Sequence, residues 1–213
     1  MGELRPGQMG PPNPTLVARL LDVIERDVIP LTQAGVSRGN KIFGAAMLRK
    51  SDLSLVHAAT NGETSNPLFH GEVACINEYY ALVAADPSKR VDPADVIFLA
   101  THEPCTLCSS AITWAGHDNF YYFFSHEDSR DAFQIGHDLN ILKQVFKHEP
   151  GGYARANAYF TAFSLQDMIR ACDAHERAAL SARADGIRAK YMELSEAYQS
   201  TKELDVCRNI PLK

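Results

Sequence analysis

The pattern of apolar and polar positions in the first third of the chain predicts one helix followed by a hairpin. After Thr15, the expected N-cap, apolar residues recur at helical spacing as far as Val28, and Pro30 is expected to break or kink the helix. Two short extended runs follow, Ile42 to Leu48 and Leu53 to Ala59, with a charged turn between them. Such a pair of runs is typical of two antiparallel strands.

The middle of the chain predicts alternating helices and strands. Helical periodicity from His70 to about Ala85 ends before Pro87, and the continuous apolar run Val96 to Ala100 is typical of a strand covered on both faces. The other predicted elements are a helix over Cys105 to Ala115, an aromatic strand over Asn119 to Phe124, and helices over about Ser129 to Ile135 and Asp138 to Phe146. This order predicts an α/β fold, a three-layer α-β-α sandwich with a central mixed sheet.

The two ends of the chain have a different composition from the middle. Residues 1–13 hold three Pro and three Gly and predict a flexible tail. Residues 14–150 form the predicted central domain, which ends at the Gly-containing loop Pro150-Gly151-Gly152. Residues 151–213 form a predicted helical extension, with one or two long helices interrupted near Gly186 that are solvated or pack on a partner subunit.

Net charge and hydropathy restrict the class of partner. The chain carries 26 acidic and 21 basic residues, a net charge of −5, without a basic stripe of the kind that binds nucleic-acid phosphates. We therefore expect a small-molecule substrate and no nucleic-acid partner. The sequence lacks an apolar run of membrane-spanning length and a signal-peptide pattern, which predicts a cytoplasmic protein without a membrane partner.

Two short motifs carry the candidate chemistry. His70-Gly71-Glu72 is followed 35 residues after His70 by Cys105, in Pro104-Cys105-Thr106-Leu107-Cys108. One imidazole and two thiolates can hold a zinc ion and leave its fourth position for water, as catalytic zinc sites do. Because Cys105 and Cys108 are three residues apart at a predicted helix start, both sulfurs can point at one ion. The predicted cofactor is Zn²⁺, with His70, Cys105 and Cys108 as ligands.

Glu72 is the predicted catalytic acid and base. It lies two residues after His70, so in the first helical turn it points away from the ligand direction and toward the space for water and substrate. A carboxylate there can take a proton from water and pass it to a ring nitrogen and then to a leaving amine. The spacing H-x-E with P-C-x-x-C is the signature of zinc deaminases, which predicts hydrolytic loss of ammonia from a nucleobase.

Other interpretations of the cysteines and histidines exist. Cys-x-x-Cys alone is also typical of a redox pair or of half a structural zinc site, but a closed structural site needs a fourth ligand and no further Cys or His has suitable spacing. The other three cysteines, Cys75, Cys172 and Cys207, are interpreted as small buried or surface residues. His102 is a further candidate for lining the pocket, with a structural role as its alternative.

Taken with these motifs, residues from about Lys41 to Phe146 resemble the cytidine deaminase-like superfamily, in its guanine deaminase and tRNA adenosine deaminase branch. The resemblance is carried by Phe43-Gly44-Ala45, by Asn61 and by Glu103-Pro104-Cys105. The stretch Ala111 to Ala115, with an aromatic strand and Ile135-Gly136-His137-Asp138 after it, is more similar to guanine deaminases than to tRNA editors.

The resemblance implies roles for four more residues. Asn61 would hydrogen-bond the base, Phe43 and Trp114 would stack near it, and Asp138 would reach the edge of a purine ring. It also implies a homodimer, and a C-terminal segment that closes the pocket. The chain departs from the family at Gly71, where Ala is usual, at Ile42, where Pro is usual, and throughout the segment after about residue 150, which is unmatched.

Three functions are compatible with the motifs. The first is deamination of a free purine such as guanine, with cytosine or a pterin as other bases. The second keeps the chemistry and acts on a nucleoside or on tRNA adenosine, which would require a basic groove around the site. The third is a catalytically silent module that binds a base or a protein, for which Glu72 would be unnecessary.

Overall fold

The computed structural model describes residues 13–149, 152–204 and 210–213, and its centre is a five-stranded mixed sheet. The strands are β1 (Gly44–Arg49), β2 (Leu55–Thr60), β3 (Val96–His102), β4 (Asn119–Phe124) and β5 (Thr161–Ser164). The helices are α1 (Pro14–Val23), α2 (Ile29–Val36), α3 (Gly71–Ala85), α4 (Thr106–Trp114), α5 (His126–Asp131), α6 (His137–Gln144), α7 (Leu165–Ala171) and α8 (Ala174–Thr201).

The strand order is β2-β1-β3-β4-β5. β1 pairs antiparallel with both β2 and β3, whereas β3, β4 and β5 are parallel. The carboxyl ends of β3 and β4 therefore meet at one edge of the sheet, and the chain passes from the end of β3 directly into the segment that carries Cys105. This topology confirms the predicted mixed sheet.

Side chains on β3 alternate between two hydrophobic cores. Ile97 and Leu99 face a core shared with α1, α2, α7 and α8, and Phe98 faces a core shared with α3 and α4. Because both faces of the sheet are covered by helices, β3 is buried along its whole length. The predicted three-layer α-β-α sandwich is confirmed.

The regular α-helical pattern of the first segment is interrupted immediately before Pro30, where a break or a kink was predicted, although helical structure continues to Val36. Asn13, not Thr15, is its N-cap, and the Asn13 side chain accepts a hydrogen bond from the backbone N–H of Leu16. A π-helical turn over Ile24–Val28 widens the helix just before Pro30, which lies in the first turn of α2. Proline in a continuous α-helix removes one backbone N–H and crowds the preceding turn, and a π-helical turn is one of the irregularities that accommodate such a disturbance.

The segment from residue 152 onward contributes a strand as well as helices. β5 pairs with β4, an element absent from the sequence-based prediction, because a four-residue strand has little periodicity. The C-terminal helices are interrupted at Asp173, which caps α8, and not near Gly186, which lies inside α8. The predicted tail over 1–13 falls almost wholly outside the described residues, as do Pro150 and Gly151 of the predicted loop and Cys207.

No helix in the described part of the chain is long and apolar enough to cross a membrane.

Candidate active site

The two sequence motifs meet at the starts of two neighbouring helices. His70 is the N-cap residue of α3, and Cys105 is the N-cap residue of α4, which packs against α3. Cys105 Sγ lies 3.4 Å from His70 Nδ1, and the ligand atoms of His70, Cys105 and Cys108 all lie within 4.8 Å of one another. The fold therefore brings one imidazole and two thiols to one point.

Gly71 allows this close approach of α3 to the sheet. A Cβ atom on Gly71 would lie 2.9 Å from both the Cα and the N atom of Gly44, the first residue of β1. Real Cβ contacts are not found at that distance, and neither backbone atom can move independently of the strand. The departure from the usual Ala thus has a local physical reason, which is the packing of the first turn of α3 on β1.

Glu72 is buried in the first turn of α3, and its Oε2 atom accepts a hydrogen bond from Cys108 Sγ at 3.2 Å. Burial, together with the negative charge on Cys105, raises the pKa of Glu72 to about 7. A group with a pKa near 7 can both accept and donate a proton at neutral pH, which is what a shuttle requires. Glu72 therefore lies beside the candidate metal ligands, where the sequence places it. Its role as acid and base stays a prediction.

The two thiols differ in how readily they ionise. Hydrogen bonds from Cys108 and His70 hold the pKa of Cys105 well below its ordinary value. Burial, with the charges of Cys105 and Glu72, raises the pKa of Cys108 well above its ordinary value. Burial acts against the charged form of His70, but the hydrogen bond and charge of Cys105 outweigh it and raise the pKa of His70 to about 9. The cluster therefore carries protons that a metal ion must displace.

The donor set fits zinc. Zinc holds nitrogen at about 2.0 Å and sulfur at about 2.3 Å in a tetrahedron, which separates adjacent ligand atoms by about 3.5 Å. The observed 3.4 Å between His70 Nδ1 and Cys105 Sγ agrees with that spacing. Within the described ranges the cluster contains these three residues and no fourth His, Cys, Asp or Glu, so one zinc position would remain for water.

A cavity of about 280 Å³ opens above this cluster. Its walls combine the ligand residues with apolar side chains from several elements. The lining residues are Lys41, Phe43, Glu63, Pro67, Leu68, His70, Glu72, His102, Glu103, Cys105, Thr106, Leu107, Cys108, Ile135, His137, Asp138, Ile141, Pro211 and Leu212. Most of the exposed wall surface is apolar, with polar and charged side chains set into it, and such a pocket is typical of a small-molecule site.

Two of the predicted substrate-binding residues, Phe43 and Asp138, line this cavity. The ring of Phe43 lies edge-on to His102, with ring centroids 4.6 Å apart. Asp138 lies in the first turn of α6, and burial, with the charge of Cys105, raises its pKa to about 6. Both side chains are placed where a planar base could contact them, and their roles stay predictions.

The structure does not bring Asn61 and Trp114 to the cavity wall in the described part of this chain. Asn61 is buried, and its Oδ1 atom accepts hydrogen bonds from the backbone N–H groups of Lys41 and Glu63. Trp114, the last residue of α4, is 91% exposed and lies beside a shallow depression. Asn61 thus holds the backbone of two cavity-lining residues, Lys41 and Glu63. Trp114 could contact a substrate only in the cavity of a partner subunit.

His102 is held in an aromatic cage under the cavity. Its ring contacts Phe43, Phe124, Phe133 and Tyr191, with centroid distances of 4.6 to 5.4 Å. Burial, with the nearby charge of Arg188, lowers the pKa of His102 to about 3, so the ring is neutral at physiological pH. The structural interpretation of His102 therefore agrees with its surroundings, although the ring also forms part of the cavity wall.

Sequence reasoning missed a buried ion pair in the cavity wall. Lys41 Nζ lies 3.0 Å from Glu63 Oε1, and both side chains are about 95% buried. The sequence could have predicted this pair, because Lys41 precedes the first strand of the predicted hairpin and Glu63 follows the second. Antiparallel strands bring those two ends together.

Glu103 was also missed as a structural anchor. Its Oε2 atom accepts a hydrogen bond from the backbone N–H of His126, the first residue of α5. Its Oε1 atom pairs with Arg155 Nη2 at 3.0 Å. Glu103 therefore ties the end of β3 to α5 and to the segment before β5, which fixes the loop that leads to Cys105.

The last residues of the chain close one side of the cavity. Pro211 and Leu212 line it, and the backbone oxygen of Lys213 lies 3.2 Å from His137 Nε2. This placement agrees with the expectation that the C-terminal segment covers the pocket.

Comparison with known proteins points to one family. A family model described as the cytidine and deoxycytidylate deaminase zinc-binding region matches residues 26–124. A tRNA-specific adenosine deaminase from Rickettsia bellii (strain RML369-C) is 22% identical over 147 residues, which cover 68% of this chain and 97% of that protein.

Solved guanine deaminases share similarity with the chain as well. One from Bacillus subtilis is 25% identical, with a TM-score of 0.46, and the match covers 63% of this chain and 78% of that one. One from Nitrosomonas europaea is 19% identical, with a TM-score of 0.48, and the match covers 85% of this chain and 88% of that one.

Proposed function

We propose that this chain, which carries a zinc-binding domain of the cytidine and deoxycytidylate deaminase family, hydrolytically deaminates a free nucleobase, with guanine or a related aminopurine as substrate. The observation that carries the proposal is the buried Glu72 carboxylate, which lies beside the His70, Cys105 and Cys108 cluster and lines the cavity above it. A silent binding module would have no use for a proton carrier at this position.

The chain's own residues account for binding the metal and moving protons. His70 Nδ1 and the sulfurs of Cys105 and Cys108 would hold zinc. When bound, the ion supplies Lewis acidity that lowers the pKa of a coordinated water. The Oε2 atom of Glu72 takes a proton from the attacking water and delivers it to a ring nitrogen of the base. Glu72 then transfers the second proton to the departing amine, so that guanine and water give xanthine and ammonia.

The cavity wall supports a free base as the substrate. Pro211 and Leu212 cover one side, which favours a ligand small enough to be enclosed. Phe43 offers an aromatic surface to a planar ring. Asp138 offers a carboxyl group that can accept hydrogen bonds from ring N–H groups when ionised and donate one when protonated.

A second candidate, deamination of adenosine in tRNA, is favoured by the similarity to the Rickettsia bellii protein. Among the cavity-lining residues of the described chain, Lys41 is the only Lys or Arg, and it is buried against Glu63. A polynucleotide substrate would need basic side chains around the opening to contact its phosphates. The net charge of −5 also argues for the free base.

A substrate screen distinguishes these candidates. Zinc-loaded protein is incubated with guanine, other aminopurines, pterins, cytosine, nucleosides and a tRNA transcript, and released ammonia is measured for each. We expect release from guanine or an aminopurine base. Release from tRNA alone, with binding that weakens steeply as salt increases, would support the second candidate instead.

A further inference from the structure

We propose that Glu63 is a positioning residue for the metal site, which orients the imidazole of His70 so that its Nδ1 atom faces the ion. The inference rests on the proposed ligation of zinc by His70 and is independent of which base is the substrate. It concerns a carboxylate that belongs to neither sequence motif.

The two nitrogens of His70 face different partners. Nδ1 lies 3.4 Å from Cys105 Sγ, on the side of the thiols. Nε2 lies 3.7 Å from Glu63 Oε1, an ion-pair distance on the opposite side of the ring. The negative charge of the carboxylate favours the tautomer with its proton on Nε2, which leaves the lone pair on Nδ1 for a metal. Metal-binding histidines generally have such a partner for their second nitrogen.

Glu63 itself is fixed from two further directions. Its Oε1 atom pairs with Lys41 Nζ at 3.0 Å, and its Oε2 atom accepts a hydrogen bond from Asn61 Nδ2 at 2.5 Å. The backbone N–H of Glu63 also donates to Asn61 Oδ1 at 3.1 Å. The carboxylate therefore has little freedom to turn away from His70.

The buried ion pair between Lys41 and Glu63 is not explained by its contribution to stability. The side chains of Lys41 and Glu63 are 5% and 4% exposed, and a buried ion pair is weak as a source of stability because both charges lose their hydration. Replacing a buried ion pair with apolar residues of similar size is often neutral or even stabilising. Lys41 compensates the charge of Glu63, and Asn61 holds its geometry, so the three residues together present one oriented carboxylate to His70.

The test compares zinc binding by the full-length wild type and by Glu63→Gln, using competition with a chromophoric chelator at one fixed pH. We expect the zinc affinity of Glu63→Gln to fall by about 10-fold to 100-fold, the range found for such partners of metal-binding histidines. In cobalt-substituted protein, the ligand-field absorption bands of the variant should shift, because the His70 ring is no longer held in one orientation. Glu25→Gln, which neutralises a carboxylate paired with Arg183 on the far side of the sheet, should change neither measurement.

Two further comparisons keep the inference falsifiable. If Glu63→Gln does not fold, the double variant Lys41→Met/Glu63→Gln removes both charges without leaving one unpaired, and the same loss of affinity is expected. A folded variant with wild-type zinc affinity and an unchanged cobalt spectrum would overturn the inference, even if its melting temperature were lower. A wild-type chain that binds no zinc would instead refute the ligand assignment, on which the proposed function depends.

Discussion

The Oε2 atom of Glu72 lies 3.2 Å from the Sγ atom of Cys108, so the proposed proton shuttle and a proposed metal ligand share a proton. A metal ion at this cluster must displace that proton, because the ligand form of cysteine is the thiolate. Glu72 is then released from Cys108 and can interact with water. Through this contact, metal binding would free the carboxylate that we propose as the proton shuttle.

Zinc binding should release protons and should strengthen as the pH rises. The pKa of His70 is about 9 and that of Cys108 lies well above its ordinary value, so both groups carry a proton at pH 7 that zinc must displace. We expect about two protons released per zinc ion near pH 7, and an affinity that increases up to about 100-fold per pH unit. Calorimetric titration in buffers of different ionisation enthalpy measures this number. A titration with no net proton release would contradict the assignment.

Gly71→Ala should destabilise the protein and disturb the metal site. The new Cβ atom would overlap the backbone of Gly44, and overpacking of this kind costs about 1 to 3 kcal/mol in the free energy of unfolding. Zinc affinity should fall too, because His70 is the preceding residue. Gly186→Ala is the matched control in α8, where a new Cβ atom would meet nothing within 4 Å. Because alanine favours a helix more than glycine does, this variant should be more stable than wild type by up to about 1 kcal/mol. Equal stability of Gly71→Ala and wild type would refute the packing argument.

His102 should make the protein less stable in acid. Its pKa is about 3 in the folded chain against an ordinary value of 6.5, so below pH 6.5 the unfolded chain binds a proton that the folded chain does not. Stability is therefore lost as the pH falls from about 6.5 toward 3, by up to about 1.4 kcal/mol per pH unit.

The measurement for His102 is urea unfolding of metal-free protein between pH 6 and pH 4.5. The variant His102→Phe should show a shallower decline than wild type. Phe133→Leu, which alters the same aromatic cage without removing a titrating group, should lower the stability at every pH and leave the slope unchanged. Identical slopes for wild type and His102→Phe would show that His102 does not contribute.

Trp114→Ala tests whether a partner subunit completes the site. Trp114 is 91% exposed and lies outside the cavity. Within a single chain, removal of its side chain should therefore change the free energy of unfolding by no more than about 0.5 kcal/mol and leave KM unchanged. A large increase in KM, together with weaker self-association in light scattering, would instead place Trp114 at the substrate of a partner subunit, in the homodimer that the family resemblance implies.

The sequence predicts local chemistry better than long-range packing. Each of the two metal motifs is a short run at a predicted helix start, and the structure brings His70, Cys105 and Cys108 together as expected. The interruption at Asp173 and the short strand β5 were missed, because neither produces a periodic pattern. The order of helices and strands, with the continuous apolar run of β3, was sufficient to predict the sandwich.

Of the four residues that the resemblance places at the substrate, Phe43 and Asp138 line the cavity, and Asn61 and Trp114 do not. Asn61 and Phe43 both lie near the cavity, but Asn61 is buried behind the wall because the loop after β2 folds back onto Lys41. The burial of the Lys41 and Glu63 pair likewise depends on the pairing of two strands, which residue types alone do not specify. Exposure of Trp114 follows from the end of α4 lying at the surface.

The most direct test of the central claim is the rate of ammonia release from guanine by zinc-loaded wild type and by zinc-loaded Glu72→Gln. Glu78→Gln, an exposed carboxylate on the same helix, is the control and should match wild type. We expect Glu72→Gln to retain one zinc ion per chain and to lose about 100-fold to 10,000-fold of the rate, because general acid and base catalysis is removed. Turnover by Glu72→Gln at the wild-type rate, or no ammonia from zinc-loaded wild type with guanine or any other base in the screen, would contradict the account.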